Sequence, residues 1–140
     1  MSWLHYETVV SGRRALVLFE NRFASSTPTN LPELGWFGVY TNLESGAAYW
    51  NPDETDALNA IEDSLLRLCE QAGGVNAVYV RRAAIHGVRE YYFYFGASVN
   101  LSSVLPRLQL LHPGYRIEFE RSADAQWAHY GSWLAEARGV

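Results

Sequence analysis

Residues 75–96 read VNAVYVRRAAIHGVREYYFYFG, two runs of strand-forming residues folded about His86-Gly87. Val, Ile, Tyr and Phe dominate both arms and a two-residue gap containing glycine joins them, which predicts a β-hairpin with strands over 75–85 and 88–96. Glycine supplies the positive φ of the turn, and histidine tolerates it better than most residues. Successive side chains alternate between the two faces of a strand, so a tight turn pairs Val80 with Phe93 and Tyr79 with Tyr94. One face then carries Val78, Val80, Tyr91, Phe93 and Phe95, suited to packing under helices. The other carries Tyr79, Arg81, Glu90, Tyr92 and Tyr94.

Working outward, the segment before this hairpin carries a helix. Asn51 stands where a cap belongs, Pro52 at the first helical position, and Glu54 three residues after the cap, where its carboxylate can reach back in a capping box. Leu58, Ile61, Leu65, Leu68, Cys69 and Ala72 recur at three- and four-residue spacing on one face, and Gly73-Gly74 stops the pattern. Upstream, 34–42 reads as a strand whose Gly35 and Gly38 mark bulges or close backbone approach. After the hairpin, Val104, Leu108 and Leu111 define the inward face of a second helix. Ser102 or Ser103 is its cap, and Pro106 sits in its first turn, where a missing N–H breaks no hydrogen bond. His112-Pro113-Gly114 ends it, and Tyr115, Ile117 and Phe119 then alternate with Arg116, Glu118 and Glu120 in a last strand.

From residue 34 onward the order is strand, helix, strand, strand, helix, strand, that of a ferredoxin-like (split βαββαβ) α+β fold. Two additions flank this core of 34–122. An N-terminal β-hairpin occupies 1–23, with its turn at Ser11-Gly12, and a short C-terminal helix occupies 124–137. The Ser-, Thr-, Asn- and Pro-rich stretch 24–32 is short enough to be a surface loop, so 1–140 reads as one domain.

Composition narrows the function classes. A chain of 140 residues, 49% hydrophobic, can bury roughly two thirds of its unfolded surface. Five Trp, nine Tyr and six Phe concentrate the packing in large rings. Every basic residue is Arg, a pattern of GC-rich coding that points to a bacterial source. The net charge of −4 opposes the attraction that drives nucleic-acid binding and permits a basic protein partner. A single cysteine, Cys69, suits a reducing compartment. The start has no signal-peptide pattern and no apolar run approaches membrane-spanning length, so the expectation is a cytoplasmic protein with no membrane contact.

Leu58-Asn-Ala-Ile61-Glu62-Asp63-Ser-Leu65, Gly87-Val-Arg89-Glu90-Tyr91-Tyr92-Phe93-Tyr94, Tyr115-Arg116-Ile-Glu118 and Asp124-x-x-Trp127-x-x-Tyr130-x-x-x-Leu134 follow one another along the chain. With the opening Trp3-x-x-Tyr6, these motifs resemble the bacterial family called domain of unknown function 695 over nearly the whole length. The resemblance implies a fold rather than a reaction, because the family has no established activity. Some members are similar to, or fused with, domains like the protein-B type regulator of ribonuclease E, a non-enzymatic protein inhibitor. That implies a regulatory binding role by analogy. This chain lacks the acidic segments of that regulator.

The candidate binding residues are Tyr79, Arg81, Glu90, Tyr92 and Tyr94 on the tyrosine-rich face, with Trp133 on the closing helix. An aromatic sheet face can bind a peptide, a ring or exposed bases, as the platforms of RNA-recognition motifs do. The spacing of Tyr92 and Tyr94 is similar to the stacking positions of such a motif, whose glycines and basic lead-in are missing apart from Arg89. A structural account of the same residues has the N-terminal hairpin or a second subunit covering the face, with Arg81 and Glu90 as an ordinary ion pair. In the closing helix Trp127, Tyr130 and Leu134 share a core-facing stripe, Asp124 caps, and His129 and Trp133 fall away, which leaves Trp133 as an interface anchor.

Other chemistry finds little support. His5, His86, His112 and His129 lie in separate elements without metal-ligand spacing, and Cys69 lies on the apolar stripe as a buried, inert thiol. Glu62-Asp63 and Glu118/Glu120 read as solvated carboxylates rather than acid–base pairs. No nucleophile elbow, phosphate-binding loop or dinucleotide fingerprint occurs. The expectation is a protein-binding or regulatory module without catalytic activity, metal or cofactor, inhibitor-like or immunity-like. Its partner would be another protein or a second copy forming a homodimer. The alternative is a small-ligand binder or enzyme with a pocket between the tyrosine face and the N-terminal hairpin, and an RNA binder stands third.

Overall fold

A computed structural model describes residues 3–42 and 49–139. The chain opens with β1 (Trp3–Val10) and β2 (Arg13–Glu20), joined by Ser11 and Gly12, both at positive φ (51° and 79°), the combination a two-residue hairpin turn needs. There follow β3 (Glu33–Tyr40), α1 (Thr55–Gly73), β4 (Ala77–Ile85), β5 (Val88–Phe95), α2 (Val104–Leu111), β6 (Arg116–Ala123) and α3 (Ala128–Ala137). The architecture is mixed α+β: one six-stranded antiparallel sheet and, among the described residues, three α-helices. Across the sheet the strands run β1-β2-β4-β5-β3-β6.

The N-terminal hairpin therefore does not cover the sheet. It extends it, with β2 laddered to β4 from Ala15↔Ile85 to Phe19↔Arg81. An edge strand offers a row of unpaired N–H and C=O groups, and a second strand satisfies them better than a hairpin lying across side chains. The two sheet faces carry separate cores. Under α1 and α2, Phe37, Val39, Tyr91, Phe93, Phe95 and Ile117 meet Leu58, Ile61, Leu65, Leu68 and Leu108. Under α3, Trp127 and Tyr130 pack on Ala15, Val17, Phe19, Leu34, Val80 and Tyr94.

The expected register between β4 and β5 is corrected by a bulge. Tyr79 pairs with Phe93 and Arg81 with Tyr92, which leaves Val80 as the extra residue. A bulge interrupts the period of two, so residues before it sit on the face opposite to the one strict alternation assigns. Val78 and Val80 consequently join the α3 side, while Tyr79 turns to the α1 side and stacks on Phe93 at 4.9 Å.

Several local expectations also change. Asn51 caps a 3-10 turn (Pro52–Glu54), its Oδ1 accepting from the Asp53 amide at 3.1 Å. Glu54 does not close a capping box; its carboxylate accepts from the Asn42 amide at 2.8 Å and from the Tyr115 hydroxyl at 3.0 Å, tying α1 to both flanking strands. Neither Ser102 nor Ser103 caps α2 with its side chain; Asn100 Oδ1 accepts from the Ser102 amide instead. Leu111 is the last residue of α2 and is 52% exposed rather than inward, since the helix ends before that face closes on the sheet. At the second hairpin only Gly87 takes positive φ, and His86 does not.

Candidate binding groove

Helix α3 covers the sheet only in part. Over β3, β5 and β6 the same face stays open as a groove of about 670 Å³. Strict alternation supplies its floor: Leu34, Trp36 and Tyr40 from β3, Glu90 and Tyr92 from β5, and Glu118, Glu120 and Ser122 from β6. His129 and Trp133 of α3 form one wall.

Each ring and carboxylate is held by its neighbours. The Trp36 indole lies flat along the strand because residue 38 is glycine; a Cβ there would collide with the six-membered ring. In that pose Trp36 Nε1 donates to Glu90 Oε2 at 2.8 Å. The Tyr40 hydroxyl donates to Glu118 Oε1 at 2.7 Å and Arg116 Nη2 to Glu118 Oε2 at 2.7 Å, with the Arg116 guanidinium 4.3 Å over the Tyr40 ring. The Arg116 bond first, and the Tyr40 bond second, hold the Glu118 carboxyl below its ordinary range. Glu120 is exposed and has no ion-pair partner among the described residues.

At the opposite wall Tyr92 packs on Trp133 with ring centroids 4.6 Å apart, and His129 lies 5.9 Å from the Trp133 ring. Burial, reinforced by the charge of Glu90, pushes the Tyr92 phenol well above its ordinary value, so it stays neutral. Arg81 lies beneath both rings, 5.5 Å from the Tyr92 centroid and 5.0 Å from that of Trp133. It is 4% exposed, and its ion pair is with Glu136 at 3.3 Å, not with Glu90. The correction follows from α3, which brings Glu136 down onto β4 while Trp36 occupies Glu90; Glu136 is held in turn by the Tyr6 hydroxyl at 2.7 Å.

Of the residues proposed from sequence, Glu90, Tyr92 and Trp133 line the groove together. Arg81 supports it from below. Tyr79 is on the far side of the sheet, with its hydroxyl 3.4 Å from Glu62 Oε2. Tyr94 is 0% exposed and belongs to the core: its ring stacks on Trp127 at 3.9 Å and 9°, and its hydroxyl donates to Asp124 Oδ2 at 2.6 Å. Asp124 also accepts from the amides of Ala128 and His129 at 2.9 and 3.2 Å, so it caps α3 from four residues before the first helical residue. Burial opposes its charge, but these three hydrogen bonds outweigh it and hold the carboxyl below its ordinary value.

The family model described as "Family of unknown function (DUF695)" matches residues 1–135. The chain belongs to DUF695. Comparison with curated proteins and with solved structures returned no match.

The groove of this DUF695 chain contains residues that sequence reasoning passed over: Trp36, Tyr40, His129 and Ser122. The spacing Leu34, Trp36, Gly38, Tyr40 placed three large side chains and one gap on a single face, a signal that was available once β3 was known to lie beside β5. Two assignments made as solvated carboxylates divide. Glu118 does face solvent, whereas Glu62 is half-buried and paired with Arg82 at 2.6 Å. Cys69 is buried, and burial pushes its thiol up to about 12. The described residues contain no group of three or more His, Cys, Asp and Glu able to hold a metal, and no helix long and apolar enough to cross a membrane.

Proposed function

We propose that this DUF695 chain is a binding module that holds a cationic segment of another protein in the groove over β3, β5 and β6. The observation that carries the reading is the lining itself, in which the rings of Trp36, Tyr40, Tyr92 and Trp133 stand beside the carboxylates of Glu90, Glu118 and Glu120. Ring faces attract cations, and carboxylates add direct ion pairing and orientation. The net charge of −4 acts in the same direction at long range. A regulatory role, inhibitor-like or immunity-like, follows from capture of a basic surface on a partner, with no catalytic step required.

The frame is read as a ferredoxin-like core carrying an extra hairpin. The chain order β3-α1-β4-β5-α2-β6 and the neighbour order β4-β5-β3-β6 support it, with β1-β2 appended at the β4 edge. One continuous sheet supports treating 1–140 as one domain, and the lone cysteine and all-Arg basic composition support a bacterial cytoplasmic setting. A second reading has a specific observation behind it. The groove volume of about 670 Å³ lies within the range of roughly 300–1,000 Å³ usual for small-molecule sites, so a small amine-bearing ligand fits the same lining.

Titration of the chain with arginine-rich, neutral and acidic peptides of equal length, read by tryptophan fluorescence, tests the proposal. The arginine-rich peptide should perturb the emission saturably, bind more weakly as salt rises, and lose roughly tenfold or more in affinity when Trp133 becomes Ala or Glu120 becomes Gln. Equal responses to basic and acidic peptides would sink it. Saturation by simple alkylammonium ions, with no preference for peptides, would select the small-ligand reading.

A further inference from the structure

A second site lies on the α1 side of the sheet, away from the groove. Between β2, β4 and β5, beneath Trp50, a small, partly open cavity of about 50 Å³ is lined by His5, Leu16, Leu18, Trp50, Arg82 and Arg89. Arg89 is 3% exposed, and its Nε and Nη1 are sealed from solvent without a hydrogen-bond partner among the described residues. The Trp50 ring faces the guanidinium at 4.5 Å, which offsets part of its charge but satisfies none of its N–H groups. Arg82, on the same wall, commits Nη1 to Glu62 at 2.6 Å. Among the described residues no carboxylate pairs with Arg89.

A buried guanidinium cannot escape its desolvation by releasing a proton, so it calls for an anion. The cavity limits the size of that anion. About 50 Å³ exceeds the ~10–15 Å³ that one water requires and falls far short of the roughly 300 Å³ at which drug-sized pockets begin. We propose that the cavity is a small-oxyanion site in which Arg89, Arg82 and His5 donate to a carboxylate- or phosphate-sized group and Trp50 shields it from water. The oxyanion neutralises Arg89 and ties β1, β2, β4 and β5 to the segment that leads into α1. The reading is independent of the groove, which lies on the other face.

The test follows the arginine Nε–H resonances of the full chain by ¹⁵N–¹H NMR. Sodium phosphate, sulfate or acetate replaces sodium chloride at constant ionic strength. The Arg89 signal, assigned by its absence in Arg89→Lys, should shift saturably with an oxyanion and not with chloride. His5→Ala, an exposed position on an edge strand, should keep the chloride melting temperature and lose roughly tenfold in anion affinity, the size of one charge-assisted hydrogen bond. Saturation by phosphate or sulfate alone identifies a free tetrahedral oxyanion. Saturation by acetate identifies a carboxylate, as on a peptide terminus or acidic side chain. An Arg89 signal that moves alike in all four salts, or a His5→Ala affinity equal to that of the parent chain, overturns the proposal; if Arg89→Lys does not fold, the Arg89 resonance is assigned in the parent chain by through-bond correlation to its own backbone, and the same two comparisons decide.

Discussion

Replacing Tyr94 by Phe removes one oxygen from the centre of the α3 core. The ring stays stacked on Trp127 at 3.9 Å, so the apolar packing is unchanged. What disappears is a buried hydroxyl that donates to Asp124 Oδ2 at 2.6 Å and accepts, more weakly, from the Tyr130 amide at 3.3 Å. A hydrogen bond to a charged group contributes about 1.5–3 kcal/mol, and the Asp124 carboxylate keeps two amide donors, from Ala128 and His129. The expected cost at pH 7 is therefore about 2 kcal/mol, measured as a shift of the urea midpoint at constant slope. Its pH dependence carries the sharper claim. Asp124 has a folded-state value below its ordinary 3.8, so its contribution is complete at neutral pH and is lost as pH falls through that lowered value. The gap between the parent chain and Tyr94→Phe should accordingly hold constant from pH 7 to about 5 and narrow only as pH falls through the lowered value. Asp124→Asn should remove most of the same increment, and the double variant should cost less than the sum of the two singles. A penalty under about 0.5 kcal/mol, or one that already shrinks between pH 7 and about 5, would refute the charge-assisted bond as the reason for Tyr94.

Gly38→Ala should leave the fold intact at a cost of about 1–3 kcal/mol while pushing the Trp36 indole off the strand; loss of its bond to Glu90 should appear as a changed Trp emission and weakened peptide binding. Glu62→Gln removes the partner of Arg82 on the α1 side, where both side chains are largely buried, and should cost about 1–3 kcal/mol in chemical denaturation without touching groove binding. Cys69, with its thiol pushed up to about 12 by burial, should resist a disulfide-exchange reagent at pH 8 in the native protein and react at once in denaturant; fast native labelling would contradict the core placement. Tyr92→Ala and Tyr94→Ala should separate cleanly: the first reduces binding with modest loss of stability, and the second costs about 3–5 kcal/mol because it empties a stacked core position.

The elements themselves were legible because each is coded by short-range chemistry. The apolar stripe Leu58, Ile61, Leu65, Leu68 admits only a helix of period 3.6, and β5 alternates between half-buried and buried residues from Val88 to Phe93. Tyr130 and Leu134, four residues apart on α3, were likewise placed by helical spacing, whereas Trp127 precedes the helix with a left-handed backbone (φ 54°) and reaches the same core from there. The family model matches residues 1–135.

What the tertiary structure decided is where those elements meet. The bulge at Val80 has no marker in the sequence, since Val and Tyr fit either face of a strand, yet it transfers Tyr79 from the groove side to the α1 side. The hairpin β1-β2 could have lain over the sheet or beside it; hydrogen bonding with the free edge of β4 placed it beside. Whether Tyr94 is a binding surface or a core residue depended on the closing segment: Trp127, just before α3, covers Tyr94, while Trp133 of α3 stops short and leaves Tyr92 half open. Local sequence determines the period and the faces of each element, because those follow from neighbours along the chain. Which face becomes core and which remains a groove is set by contacts between residues as far apart as Tyr6 and Glu136, and only the folded chain brings such residues together.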